Sequence, residues 1–158
     1  MPPPVSRRSG PRLFYKTVDD VPAQVEYVDA TFAQKGCISR LNILSHGGKL
    51  VDASTGTEIG STITIGKQGE SIRSDDFDPA GNLTNSANAQ ATKSLLDALK
   101  RVLCRGAKRF FSACNQGTGE LLRDISRYLD NDVEVNGFSG LGNPVTSGDR
   151  TYVNGERR

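Results

Sequence analysis

Arg109-Phe110-Phe111-Ser112-Ala113-Cys114-Asn115-Gln116-Gly117-Thr118-Gly119-Glu120 is the stretch whose reading decides the fold. Its apolar opening reads as a strand over residues 108–113, with a cysteine at the strand's end and a glycine-punctuated turn behind it. Leu121, Leu122, Ile125 and Leu129 then recur at helical spacing, within a helix read over 118–129. A second stretch, Leu41-Asn42-Ile43-Leu44-Ser45-His46-Gly47-Gly48, has the same design. It too is an apolar run, ending in the only histidine of the chain and two glycines.

Outward from these two stretches the chain alternates. Residues 1–10 are rich in Pro, Arg, Ser and Gly and read as a disordered lead-in. Residues 11–158 read as a single domain. A strand over 12–16 comes first. Asp19 and Asp20 can cap a helix, Pro22 suits its first turn, and Val21, Val25, Val28 and Phe32 form one helical face that Gly36 ends. Residues 37–44 form the strand that delivers His46. Residues 50–53 and 61–65 read as two arms of a hairpin around Ser54, Thr55, Gly56 and Thr57. The polar run 66–85 reads as a long surface loop. A helix over 86–105 carries Leu95, Leu99 and Val102 on one face, with Gly106 as its stop. Val133 to Asn136 reads as a further strand, running into Gly137-Phe138-Ser139-Gly140, and residues 151–153 as a short edge strand.

This alternation predicts an α/β fold: a three-layer α/β/α sandwich with a mostly parallel central sheet and helices on both faces. In such sheets ligand chemistry sits at the carboxyl ends of the strands. His46 and Cys114 both fall just past such ends.

Composition narrows the function. The formal net charge is only +2, and there is no dense Lys/Arg block, which disfavours nucleic acid as the partner. No apolar run is long enough for a membrane span, and the N-terminus is not a classical secretory signal. The three cysteines are widely spaced and odd in number, so they read as free thiols in a reducing compartment rather than a disulfide framework or a structural zinc site. No metal or other cofactor is implied.

A cysteine–histidine pair at one sheet edge is suited to nucleophilic chemistry. The imidazole takes the thiol proton, and a helix N-terminus close behind the cysteine favours the thiolate. Gly47 lets the backbone approach a substrate, so its N–H and that of Cys114 form an oxyanion hole. Taken singly, a cysteine after a strand is more often a buried small hydrophobe, and a lone histidine more often a surface residue. The matched contexts make the pair the stronger reading. Gln116-Gly117-Thr118-Gly119 reads weakly as a phosphate turn, because it lacks the full glycine-lysine pattern. Gly137-Phe138-Ser139-Gly140-Leu141 is not a nucleophile elbow.

The strand ending in His46-Gly47 and the strand ending in Ala113-Cys114 resemble the caspase-like clan of cysteine peptidases, among them caspases, metacaspases, CHAT-type peptidases and toxin cysteine peptidase domains. The resemblance implies a cysteine endopeptidase with His46 as base and Cys114 as nucleophile. It also implies a specificity pocket near Asn136, Ser139, Asp149 and Arg150. Members often carry an acidic residue or glutamine two positions before the cysteine, where this chain has Ser112. By analogy the chain processes itself and acts on protein substrates in a reducing cytosol, as a bacterial effector secreted without a classical signal and restrained by an inhibitory (immunity) protein. The alternative is a catalytically inactive caspase-like module that regulates or binds.

Overall fold

The computed structural model describes residues 20–66, 70–112, 121–137 and 150–158. Three helices and eight strands follow in the order α1 (Val21–Lys35), β1 (Ile38–Leu44), β2 (Gly47–Val51), β3 (Glu58–Thr64), β4 (Ser71–Arg73), α2 (Ala87–Val102), β5 (Leu103–Ser112), α3 (Leu121–Leu129), β6 (Glu134–Gly137), β7 (Arg150–Val153) and β8 (Glu156–Arg157). The lead-in at 1–10 and the strand expected at 12–16 lie outside the described residues.

Local chemistry sets the ends of α1. The Asp20 side chain accepts from the Ala23 N–H at 2.8 Å, Pro22 stands in the first turn, and Gly36 caps the other end. Ser86 caps α2 in the same way, its hydroxyl accepting from Ala89 at 3.1 Å.

The strands form two sheets rather than one. Five make a mixed sheet in the order β1-β5-β6-β7-β8, and β2-β3-β4 make a separate antiparallel sheet. Within the larger sheet the β1–β5 and β5–β6 pairings are parallel, and the β6–β7 and β7–β8 pairings are antiparallel. The expected three-layer, mostly parallel, caspase-like sandwich is therefore wrong. The crossovers β1-α2-β5 and β5-α3-β6 both step in the same direction across the sheet. Right-handed crossovers stepping one way place their helices on one face. Accordingly α1 packs on α2 and α2 on α3, in a single helical layer.

The core lies beneath that layer. Leu95, Leu96, Leu99 and Val102 of α2 and Leu121, Leu122, Ile125 and Leu129 of α3 are all buried. They meet Ile63, Ile72 and Val135 from the strands. Leucine spacings of three and four residues give each helix one apolar stripe, whose burial drives the docking.

Two further expectations change. The 66–85 run is not all loop: it holds β4, a 3₁₀ turn at Ser74–Asp76 and a bridge between Phe77 and Leu83. Asp76, 1% exposed, anchors this segment to α2. It accepts from Asn88 Nδ2 (2.8 Å), Thr92 Oγ1 (2.8 Å) and the Arg73 N–H (2.9 Å). Next, α2 stops at Val102 and the chain enters β5 without a loop. Gly106 is not a helix stop. With φ at 72° it occupies the left-handed region inside a bulge of β5, where glycine is favoured.

The thiol reading changes as well. Cys37 and Cys104 are joined in a disulfide across 67 positions, so they are not free thiols. Cys104 lies in β5, not on a helix face. Of the described helices, none is long and apolar enough to cross a membrane.

Candidate active site at the carboxyl ends of the parallel strands

The carboxyl ends of β1, β5 and β6 come together at one edge of the larger sheet. From Arg40↔Lys108 to Leu44↔Ser112, each β1 residue pairs with the β5 residue 68 positions later. On the other side of β5, Phe110 pairs with Asn136. The pleat decides which side chains face outward. Arg40, Asn42 and Lys108 are exposed, while Leu41 and Ile43 pack on the core and Ala107 and Arg109 are buried.

His46 stands two residues past the end of β1, where the chain leaves the larger sheet for the smaller one. It shares the outward parity of Arg40 and Asn42, and its side chain is exposed. Its carbonyl accepts from the Thr64 N–H at 2.8 Å.

That bond fixes the orientation of Gly47. In an antiparallel ladder, bonded and non-bonded pairs alternate. His46 opposite Thr64 is a bonded position, so Gly47, opposite Ile63, is a non-bonded one. The Gly47 N–H therefore points away from β3. Because β2 is an edge of its sheet, that N–H is directed off the edge. Two residues before Gly47, the Ser45 hydroxyl is buried and has no hydrogen-bond partner among the described residues.

Two of the residues read as substrate-binding are also at this end. Asn136 is half-buried in β6, and its side-chain oxygen accepts from the Thr151 hydroxyl. Arg150 opens β7 opposite Gly137 and is half-buried. Cys114, Ser139 and Asp149 lie outside the described residues.

Sequence reading missed Arg109. It is fully buried, and its Nη1 donates to the Leu41 carbonyl at 2.5 Å, tying β5 to β1 just ahead of the site. Burial pulls its guanidinium down to about 9. The signal was available: Arg109 has the same strand parity as buried Ala107, so a charge stands at an inward position. Among the described residues no group of three or more His, Cys, Asp or Glu side chains is arranged to hold a metal ion. No protein family, curated protein or solved structure compared with the chain matches it.

Proposed function

We propose that the protein is a cysteine endopeptidase in which His46 and Cys114 form the catalytic dyad. One observation carries the reading. Leu44 pairs with Ser112, 68 positions on, and Cys114 follows His46 by the same 68 positions. The equal spacing from the last paired residues supports a pairing of the histidine with the cysteine. Lys108 of β5 is exposed, as His46 is.

In this mechanism His46 accepts the Cys114 proton and the thiolate attacks the peptide carbonyl. The oxyanion takes a hydrogen bond from the Gly47 N–H, whose direction off the edge of β2 suits that role. The imidazolium returns its proton to the leaving amine. Water then attacks the thioester with His46 again as base, releasing the acid and restoring the thiol. The chain is protein-directed and self-processing in this reading, with an inhibitory protein as its natural restraint. The likeness to caspase-like peptidases rests on the two strand-end motifs and not on a three-layer sandwich.

Disulfides persist in oxidising compartments. The Cys37–Cys104 bond therefore favours action in an oxidising compartment over the reducing cytosol expected from the sequence. The disulfide also removes two of the three cysteines as candidate nucleophiles and leaves Cys114.

The test is mass spectrometry of the purified protein beside Cys114→Ala and His46→Ala, with and without added protein substrate. Cleavage by the wild type and by neither variant supports the reading. Equal cleavage by all three contradicts it, and absence of cleavage from all three favours the binding module.

A further inference from the structure

The proposed site depends on the β1–β5 register, and that register is unusual at its start. Ile38 pairs with Leu103, 65 positions later, whereas Arg40 pairs with Lys108, 68 positions later. Three extra residues of β5 are thus taken up between the two pairings. Left-handed Gly106 lies within them, and its N–H donates to the Asn131 carbonyl at 3.0 Å. The amount of chain held in this bulge sets every pairing downstream. A slip of one residue would turn each following side chain to the opposite face.

The disulfide sits on this bulge. Cys37 directly precedes β1, and Cys104 is the second residue of β5, at the upstream border of the extra residues. Cys37 is exposed and therefore open to a reductant. From Ile38 to His46 is eight residues of chain, about 26 Å if extended, so the bond stands at the opposite end of β1 from the histidine.

We propose that the Cys37–Cys104 disulfide is a redox-reachable clamp that fixes the β1–β5 register and with it the placement of His46 past the end of β1. This rests on the dyad reading above. The opening step is thiol–disulfide exchange with a dithiol. One reductant thiolate attacks a cysteine sulfur, the Cys37–Cys104 bond breaks, and a mixed disulfide forms. The second reductant thiol displaces it. Two cysteine thiols result, and the dithiol leaves as its cyclic disulfide, having supplied two electrons and two protons. Cys37 and Cys104 are positioning residues here, not catalytic ones.

The experiment compares oxidised wild type, wild type reduced with dithiothreitol and desalted, and a Cys37→Ser/Cys104→Ser variant. Peptide-resolved mass spectrometry follows iodoacetamide labelling of Cys114 against pH, below the melting midpoint of each sample. The clamp predicts at least tenfold slower labelling at pH 7 once the bond is open, with a midpoint moved up to that of His46→Ala. Adding His46→Ala to the open form then changes the rate by less than twofold. Labelling within twofold of the oxidised protein overturns the proposal. If the double variant loses its far-UV circular dichroism, the reduced wild type carries the test. If oxidised wild type already labels like His46→Ala, the dyad reading has failed, and hydrogen exchange at residues 40–44 judges the clamp instead. Exchange at least tenfold faster on reduction supports it, and unchanged exchange overturns it.

Discussion

Leu44 of β1 and Ser112 of β5 are partners across two parallel strands, each the last residue of its strand. His46 and Cys114 follow these partners by two residues each. The two motifs thus stand equally far along the sequence from one strand pairing, which is the support for the proposed dyad.

Replacing the base tests the role of His46. His46→Ala is expected to lower kcat/KM by about 10²- to 10⁴-fold, the usual contribution of a positioned proton acceptor. Its exposed side chain makes little difference to packing, so the melting temperature should be unchanged. Steady-state kinetics on a cleaved substrate, paired with thermal melting, check both statements.

Gly47→Pro removes one N–H, and its ring also fixes φ at 47 and restricts the backbone of His46 before it. That N–H points away from β3 and off an edge strand, where proline breaks no ladder bond. The loss of one oxyanion donor is expected to reduce kcat by about 10²- to 10³-fold with KM little changed. A large fall in melting temperature would instead mean that the N–H serves the fold.

Asp76 tests the segment that looks like a loop. Asp76→Ala leaves the donors of Asn88, Thr92 and Arg73 without their acceptor in a buried place. The expected loss is about 3 kcal/mol or more, against about 1 kcal/mol for Thr92→Val, which removes one donor. Urea unfolding measures both.

Opening the disulfide should also lower global stability. A closed loop of 67 positions corresponds to about 4 kcal/mol in the chain-entropy treatment. For a chain of this size that is a fall of about 10 °C in melting temperature, read by calorimetry with and without reductant.

Acid should destabilise the fold through specific carboxylates. The Arg73 guanidinium hydrogen-bonds Asp75 and holds it below the ordinary carboxylate range. Burial pushes Asp97 up, but hydrogen bonds from Lys93 and the Tyr128 hydroxyl outweigh it and leave the group lowered. A carboxyl depressed on folding contributes stability above its unfolded value, about 3.9, and loses it as pH falls through the lower folded value. The melting temperature should therefore hold from about pH 7 to about 5 and fall below about pH 4. Asp97→Asn should flatten that fall.

How much of this was legible in the sequence differs from element to element. Asp20, Pro22 and Gly36 mark the ends of α1 because capping is local chemistry. The strand ending before His46 and the leucine stripes of α2 and α3 are legible for the same reason: their period is intrinsic. The face on which helices pack is not, because it depends on the direction in which successive crossovers step. The same element order serves one helical layer or two. Gly106 is ambiguous between a helix stop and a bulge, since both need a left-handed residue. The pairing of Cys37 with Cys104 depends on strands brought side by side from 67 positions apart, and spacing alone does not reveal that. Of the proposed site, the chemical types were readable from the sequence, whereas the orientation of the Gly47 N–H needed the ladder.

The most direct measurement is the pH dependence of iodoacetamide labelling at Cys114 in wild type and His46→Ala, resolved by peptide mass spectrometry. A dyad predicts a wild-type midpoint well below the ordinary cysteine value of about 8.5 and a clear rise towards it when His46 is removed. Identical profiles near 8.5 in both proteins would contradict the pairing of His46 with Cys114.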